Sequence, residues 1–479
     1  MNPPSGKLLR AKAFSSLPPV WAVDLQPILW AAAKDDNRTL VVLDDDPTGS
    51  QTVYDIPVVT CWDVQTLEAE FARKLPCFFI STNSRCLSGR KARALTLELA
   101  RNVRRAAEST GRAFTIVSRS DSTLRGHYPV ETDALAEVFG PIDATIIAPF
   151  FGPGGRYTLG DVHYVAEGAA LVPVAETAFA RDAVFGYRHS NLRDWVEEKT
   201  ARRIHAREVK SLSLETVRRG GPVAVTAALL ALPPGSVCIA NLCATRDAEV
   251  LAVAALAAER KGKVFVFRTA ASFVSARLGL VDRPLLAASD FESGDNAGGL
   301  VVVGSHVPKS SEQLEHLLAS NRLLRRIELE VAMLLEPERR ETILKGAAKQ
   351  IAEALSAGED IVVFTSRRLV TMANVGATLA MGRGISEALV SLIRRLRVRP
   401  RFIIAKGGVT SSDIASGGLG VRRAVVRGQI LPGVPVWRLG SETRFPGLDY
   451  VVFPGNVGQT DSLAEAIQKL SGGRRPKIR

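Results

Sequence analysis

Three carboxylates in succession, Asp44, Asp45 and Asp46, run directly into Pro47-Thr48-Gly49. Adjacent carboxylates repel one another, so they need a cation, a proton or hydrogen-bond donors close by. Such a turn could bind sugar hydroxyls, hold Mg2+ or act as a general base. It could equally be an Asx-type turn leading into a helix capped by Thr48 or Ser50. A second segment, Ser118-Arg119-Ser120-Asp121-Ser122-Thr123-Leu124-Arg125-Gly126-His127, packs two arginines, an aspartate and several hydroxyls together. Arginine forks match carboxylates and phosphates with paired hydrogen bonds, and Ser, Thr and Asp suit a polyol. The plainer alternative is a polar loop with an Asp–Arg pair and a helix cap. The density of donors favours anion binding, with His127 given less weight as a helix-start residue. Upstream, Ser81-Thr82-Asn83-Ser84-Arg85 offers a further arginine.

Two glycine-rich segments differ in kind: Lys406-Gly407-Gly408-Val409-Thr410-Ser411-Ser412-Asp413 and Pro454-Gly455-Asn456-Val457-Gly458. Paired glycines let backbone N–H groups approach a phosphate closely, and a following helix points its N-terminus there. Alone, the first reads as a tight turn with Thr410 or Ser411 as N-cap. Together with the second, and with Val303-Gly304-Ser305, it reads as a nucleotide platform. The chain has no GxxxxGK[ST] P-loop, no GxGxxG after a strand and no GxSxG elbow.

These segments follow short apolar runs that read as strands. Thr39–Leu43, Ile56–Thr60, Cys77–Ile80, Phe114–Val117 and Thr145–Ala148 come first, with helical patterns over Val64–Lys74, Gly89–Ala107 and Glu131–Phe139. The apolar runs Val223–Leu230, Val237–Ala240 and Val264–Phe267 continue the series. Strands alternating with helices predict an α/β fold with a mostly parallel sheet, and ligands of such sheets sit beyond the carboxyl ends of the strands. The small, polar, glycine-rich stretch Leu285–Gly299 reads as a linker. A second α/β series then starts at Leu300–Val303 and continues through Ile361–Phe364, Arg401–Ala405, Ala424–Val426, Val434–Leu439 and Tyr450–Phe453. The expected division is an N-terminal extension over 1–38, one domain over 39–285, a linker over 286–299 and a second domain over 300–479.

Bulk properties narrow the function classes. Apolar residues are 46% and charged residues 23% of the 479, an ordinary globular balance. No stretch nears the roughly 18 apolar residues of a membrane span, and the basic start lacks the apolar core of a signal peptide; it reads as a frayed extension or docking arm. Five cysteines, Cys61, Cys77, Cys86, Cys238 and Cys243, fit neither a disulfide ladder nor a zinc pair and read as reduced, mostly buried thiols of a cytoplasmic protein. The six histidines have no HxxxH or HExxH spacing. The net charge of +13 gathers in Arg101–Arg105, Arg394–Arg401 and the C-terminal GGRRPKIR. Aromatics do not interleave with these runs, so nucleic acid is not the expected partner. A positive field suits anionic substrates.

Taken in order, Asp45-Asp-x-Thr-Gly, Asn83-Ser-Arg, Asp121-Ser-Thr-Leu-Arg-Gly, Gly155-Arg-Tyr-Thr, Lys406-Gly-Gly-x-Thr-Ser and Phe453-Pro-Gly-Asn-Val-Gly resemble the four-carbon acid sugar kinase family from about Thr39 to about Leu470. The resemblance implies an N-terminal substrate domain, a C-terminal nucleotide domain and phosphoryl transfer from ATP to threonate, erythronate or a 3-oxo-tetronate. It implies that Asp45, Asp46, Arg85, Asp121, Ser122, Thr123, Leu124 and Arg125 hold the acid, with Asp46 catalytic. It implies that Ser305, Gly407, Gly408, Val409, Thr410 and Gly455 hold ATP. Two departures stand out: Asp44 precedes the usual acidic pair, and Pro47 replaces an aromatic or aliphatic residue.

The expected mechanism has Arg85 or Arg125 clamping the substrate carboxylate and Asp46 accepting the proton of the terminal hydroxyl. Mg2+ would bridge the phosphates, with Asp44 or Asp45 considered as ligands. The expected partners are a small sugar acid and ATP, with no nucleic acid and no membrane; a homodimer is one assembly to test. Competing readings are a non-catalytic sensor of nucleotide and sugar acid, and a kinase for another small hydroxy acid.

Overall fold

The computed structural model describes residues 6–35, 37–291, 296–321, 324–367 and 375–472. The chain forms two compact units, Met1–Thr52 with Cys61–Asp282 and Val53–Thr60 with Arg283–Arg479. Both are α/β, each built on a largely parallel sheet flanked by helices.

In the first unit seven parallel strands run in the order Lys210–Leu212, Ser236–Ala240, Ala144–Ala148, Phe265–Thr269, Ala113–Arg119, Arg38–Asp44 and Cys77–Ser81. These β-branched and aromatic runs are covered on both faces, as parallel sheets require: Val41, Val42, Phe78, Val117 and Phe267 are wholly buried. Register then decides what meets at the carboxyl edge. Asp44 lies opposite Ser81 on one side and Arg119 on the other, and Arg119 lies opposite Thr269. The polar segments that follow three of these strands are thereby brought together, as their positions in the sequence led us to expect.

A separate antiparallel sheet of Leu8–Leu9, Ala170–Pro173, Val162–Glu167 and Arg156–Leu159 belongs to the same unit. Sequence periodicity did not reveal it, because its strands are short and joined by tight turns. Part of the N-terminal extension docks here. Leu8 and Leu9 pair with Leu171 and Ala170, while the helix Gln26–Asp35 packs elsewhere, on the helices Thr245–Arg260 and Ala271–Arg277, and buries Leu29 and Ala32.

In the second unit the order is Pro57–Val59, Arg423–Leu431, Val434–Leu439, Asp449–Phe453, Phe402–Lys406, Leu300–Val303, Ile361–Thr365 and Arg325–Leu329. The first four pair antiparallel and the rest run parallel from Asp449–Phe453 onward. Phe453, Lys406, Val303 and Phe364 form one row across the parallel part, so the turns after them open at one edge.

Two expectations need correction. The run Ile56–Thr60 is not a strand of the first series: Pro57, Val58 and Val59 pair with Val425, Ala424 and Arg423 of the second unit. Val223–Leu230 is helical, part of Leu214–Leu230 beyond a break at Gly221; its alanines favour helix, and it buries Val225 and Leu229 at i, i+4 spacing. The linker is partly fixed, since Leu286 N–H donates to the Gln429 carbonyl at 2.8 Å and Phe291 is buried in the second unit's core. Residues 292–295 of the linker, the first five residues of the extension and the basic run 473–479 lie outside the described residues. The strand Arg325–Leu329 went unread because its alternation is half charged.

No helix among the described residues is long and apolar enough to cross a membrane. Neighbouring residues of the N-terminal helix provide a test of docking. Leu29 is fully buried and Ile28 is half exposed. Leu29→Ala should lower the stability of the first unit by about 2–5 kcal/mol through lost burial and an unfilled cavity, while Ile28→Ala should change it by less than about 1 kcal/mol. Thermal or urea unfolding of the two variants checks this.

Candidate functional site

Asp44 ends its strand inside the sheet, and the chain turns at once. Asp46 Oδ1 accepts from Thr48 N at 2.8 Å and from Thr48 Oγ1 at 2.6 Å, the Asx-type turn anticipated as the plainer reading, and a 3-10 turn Pro47–Thr52 follows. Gly49 is required by close approach: a Cβ there would stand 2.1 Å from both Asp44 carboxylate oxygens. Arginines surround the three acids. Arg119 donates to Asp44 at 3.0 Å. Arg85 reaches Asp45 at 2.8 Å and Asp46 at 3.1 Å, with Asp121 at 4.0 Å. Asp121 in turn binds Arg125 Nε at 2.8 Å and the Thr123 hydroxyl.

Behind this layer lies a buried network. Ser120 Oγ donates to Asp45 Oδ2 at 2.6 Å and accepts from Arg268 at 2.7 Å. Arg268 also binds Ser118 Oγ at 2.7 Å and Glu131 at 2.6 Å, and Ser84 Oγ donates to the other Glu131 oxygen at 2.5 Å. Gly126, at φ 128°, closes it: a Cβ there would lie 2.6 Å from Ser120 Oγ and 2.9 Å from Asp45 Oδ2.

The expected substrate residues therefore fall into two groups. Asp46, Arg85, Asp121 and Arg125 keep part of their side chains open, at 25%, 18%, 15% and 23% exposure. Asp45 and Thr123 are buried. Ser122 lends its carbonyl to His163 Nε2 at 2.8 Å. Leu124, held at φ 67°, turns its side chain into the apolar cluster with Tyr128, Tyr187 and Trp195, so only its backbone can face a ligand. His127 is structural: its Nε2 donates to the Ser84 carbonyl at 3.1 Å.

The charges divide unevenly. Burial pushes Asp44 up to about 7, with Asp45 and Asp46 adding to the rise and Arg119 opposing it. Burial would raise Asp46 too, but Arg85 and the Thr48 bonds outweigh it and hold the carboxyl below its ordinary range. Asp121 is held low in the same way by Arg85 and Arg125, against its burial. The repulsion inherent in three adjacent carboxylates is thus relieved by guanidinium groups. That tells against Asp44 or Asp45 as Mg2+ ligands: both Asp45 oxygens and one Asp44 oxygen are taken by Arg85, Ser120 and Arg119, and the described residues contain no group of three acidic, His or Cys side chains that could hold a metal. The acidic turn does not fit a metal site.

In the second unit three turns converge. A Cβ on Gly407, at φ 120°, would lie 2.9 Å from Ser305 Cβ; one on Gly455 would lie 2.8 Å from Ser305 Oγ; one on Gly304 would lie 2.4 Å from Thr410 Oγ1. Ser305, Gly407, Thr410 and Gly455 are therefore neighbours, with Gly408 and Val409 opening the helix Gly408–Asp413 beside them. Sequence reasoning assigned no role to the cations gathered here. Lys406 Nζ donates to the Pro454 carbonyl at 2.7 Å and sits 3.9 Å over the Phe453 ring. Burial, aided by Lys309, lowers it to about 7. Arg367 donates from Nη2 to the Ser305 carbonyl and to Ser311 Oγ, both at 2.7 Å, while its Nε and Nη1 are buried without an acceptor. Neither cation has a carboxylate partner among the described residues. The available signals were a lysine ending a buried strand and an arginine two residues past another, just as Arg268 stands inside the apolar run Phe265–Thr269.

Two family models match the chain: the sugar-binding N-terminal domain over residues 40–277 and the nucleotide-binding C-terminal domain over residues 300–463. The chain belongs to the four-carbon acid sugar kinase family. No curated protein matches it. Among solved structures, a proposed tRNA synthase of Salmonella typhimurium LT2 is similar at 18% identity and TM-score 0.65, covering 90% of this chain and 99% of the other. The Haemophilus influenzae protein HI1011, of family DUF1537, is similar at 19% identity and TM-score 0.62, over 89% and 98%. At such identities these likenesses show the fold alone. Within this kinase-family member, the acidic edge lies in the sugar-binding domain and the glycine turns in the nucleotide-binding domain.

The Arg268–Glu131 pair is buried on both sides. Arg268→Met should destabilise the first unit by about 3–5 kcal/mol, because it strands a buried carboxylate. Adding Glu131→Gln should recover part of that loss. Unfolding measurements on the single and double variants test the coupling.

Proposed function

We propose that this protein is an ATP-dependent kinase that transfers the γ-phosphoryl group to the terminal hydroxyl of a four-carbon sugar acid of the threonate, erythronate or 3-oxo-tetronate type. The observation that carries the reading is the meeting of Ser305, Gly407, Thr410 and Gly455 beside two cations that have no carboxylate partner among the described residues, which suits a polyphosphate, in a chain whose other unit presents an ionised carboxylate at its sheet edge. Backbone N–H groups of the glycine turns would hold the phosphates, and Arg367 and Lys406 would offset their charge.

In the sugar-binding domain Asp46 is the most open of the three acids and stays ionised. It would accept a hydrogen bond from the substrate's terminal hydroxyl. As that oxygen forms its bond to the γ-phosphorus and the bond to the β-phosphate oxygen breaks, the hydroxyl proton passes to Asp46 and ADP leaves. Such transfers depend on alignment and charge stabilisation more than on strong basicity, so a carboxylate held low can serve. The free thiols Cys77, Cys238 and Cys243 are buried, which suits the proposed cytoplasmic location.

Asp46→Asn, assayed with Mg-ATP and a panel of tetronates, should lose about a hundredfold in kcat; near-normal turnover would exclude Asp46 as proton acceptor. Lys406 predicts a pH dependence with a definite sign. Its proton is lost as pH rises through about 7, and only the charged ammonium attracts phosphate. ATP affinity should therefore weaken as pH rises across neutrality, while Lys406→Met should bind more weakly at low pH and lose that slope. Nucleotide titration at several pH values distinguishes the two.

A further inference from the structure

The tight turn Phe151-Gly-Pro-Gly-Gly-Arg156 leads into the Gly155-Arg-Tyr-Thr segment, and its arginine has no part in the phosphoryl transfer proposed for this protein. The turn is rigid. Phe151 and Arg156 exchange backbone hydrogen bonds at 3.1 and 3.0 Å, Gly155 takes φ 73°, and a Cβ on Gly154 would lie 2.3 Å from the Phe151 ring. The Arg156 guanidinium is thereby delivered to the half-buried ring of Phe179, 5.7 Å from its centroid, where Arg125 also sits at 5.1 Å.

These two cations on one ring are not equivalent. Arg125 is paired with Asp121 at 2.8 Å and has Asp182 at 3.8 Å. Arg156 has no ion pair and no side-chain hydrogen bond among the described residues, and its Nε is buried without an acceptor. Arg85, expected as one carboxylate clamp, also has a buried Nε without an acceptor, but its Nη2 is already held between Asp45 and Asp46 and its Nη1 faces Asp121 at 4.0 Å. The charges thus form an ordered series, from Asp46 through Arg85, Asp121 and Arg125 to Phe179 and Arg156. Hydroxyl acceptors stand at one end, and at the other a guanidinium that feels Asp121 only at a distance and has no ion pair among the described residues. A buried guanidinium nitrogen without a partner is costly, and a planar carboxylate is the group its fork fits best.

We propose that Arg156, seated with Arg125 on Phe179, receives the carboxylate of the sugar acid, and that this fixes the substrate's direction with its hydroxyls toward Asp46. The proposal rests on the reading of this unit as a sugar-acid site. Arg156 then selects acids over neutral polyols and amides of the same length, and Phe179 keeps the fork planar against one face.

The test is titration calorimetry of the full chain with threonate, erythronate and the corresponding neutral amides, on wild type, Arg156→Met and Arg156→Lys, together with steady-state kinetics. Wild type should bind its acid at least tenfold more tightly than the amide. Arg156→Met should weaken the acid by about ten- to a hundredfold, leave the amide unchanged and raise KM far more than it lowers kcat. Arg156→Lys should recover part of the acid affinity. Acid binding by Arg156→Met equal to wild type overturns the clamp while leaving the sugar-acid reading intact. Failure of wild type to bind any tetronate overturns that reading and the clamp with it. Should Arg156→Met not fold, wild-type discrimination between acid and amide decides, and equal affinity for the two overturns the clamp.

Discussion

Asp44, Asp45, Arg119, Glu131 and Arg268 are each less than a tenth exposed and stand together at one edge of a parallel sheet. Removing an ion from water costs several kcal/mol, and only a well-placed partner offsets it. Much of the first unit can be understood as meeting that condition. Arg119 reaches Asp44 because strand register puts them side by side. Arg268 reaches Glu131 and Ser120 from the next strand over. Glycines stand at 49 and 126 because the carboxylates and guanidinium groups come too close for any side chain there. The result is a rigid, dry layer of paired charges beneath a thinner layer that water and ligands can reach.

The two units handle charge in opposite ways. In the sugar-binding domain, anions and cations alternate and nearly cancel, which suits a ligand with several hydroxyls and a single negative charge. In the nucleotide-binding domain Lys406 and Arg367 stand beside the glycine turns without carboxylate partners among the described residues, which suits a ligand with several negative charges and few donors. Lys406 is held by carbonyl groups and an aromatic face, contacts that place it without neutralising it. Arg156 is the exception in the first domain: among the described residues it rests on Phe179 without an ion pair, whereas Arg85, Arg119, Arg125 and Arg268 each reach a carboxylate.

The acidic triplet also shows how one local pattern supports different chemistry. Three adjacent aspartates invite a metal, a base or a turn. Here the turn forms, the arginines take the charge, and the three acids end with distinct properties: Asp44 pushed up toward neutrality, Asp45 enclosed by Arg85 and Ser120, Asp46 ionised and partly open. Only the last can meet a substrate directly.

The alternation of strands and helices, the placing of polar segments just after strands, and the two glycine turns were legible in the linear chain, because they depend on local periodicity and on residues that turn the backbone. Those features were enough to indicate two α/β units and the edges at which ligands would bind. Pairing was not legible. Pro57–Val59 joins the second unit through contacts more than 360 residues away in the chain, Val223–Leu230 is helical although its apolar run suits a strand, and no local signal linked Arg268 to Glu131 or Arg367 to Ser305. Residue types and spacing determined which groups the three aspartates could engage. Only strand register and burial decided that arginines stand beside them, because the energy of a buried charge depends on what the folded chain brings within about 3 Å of it.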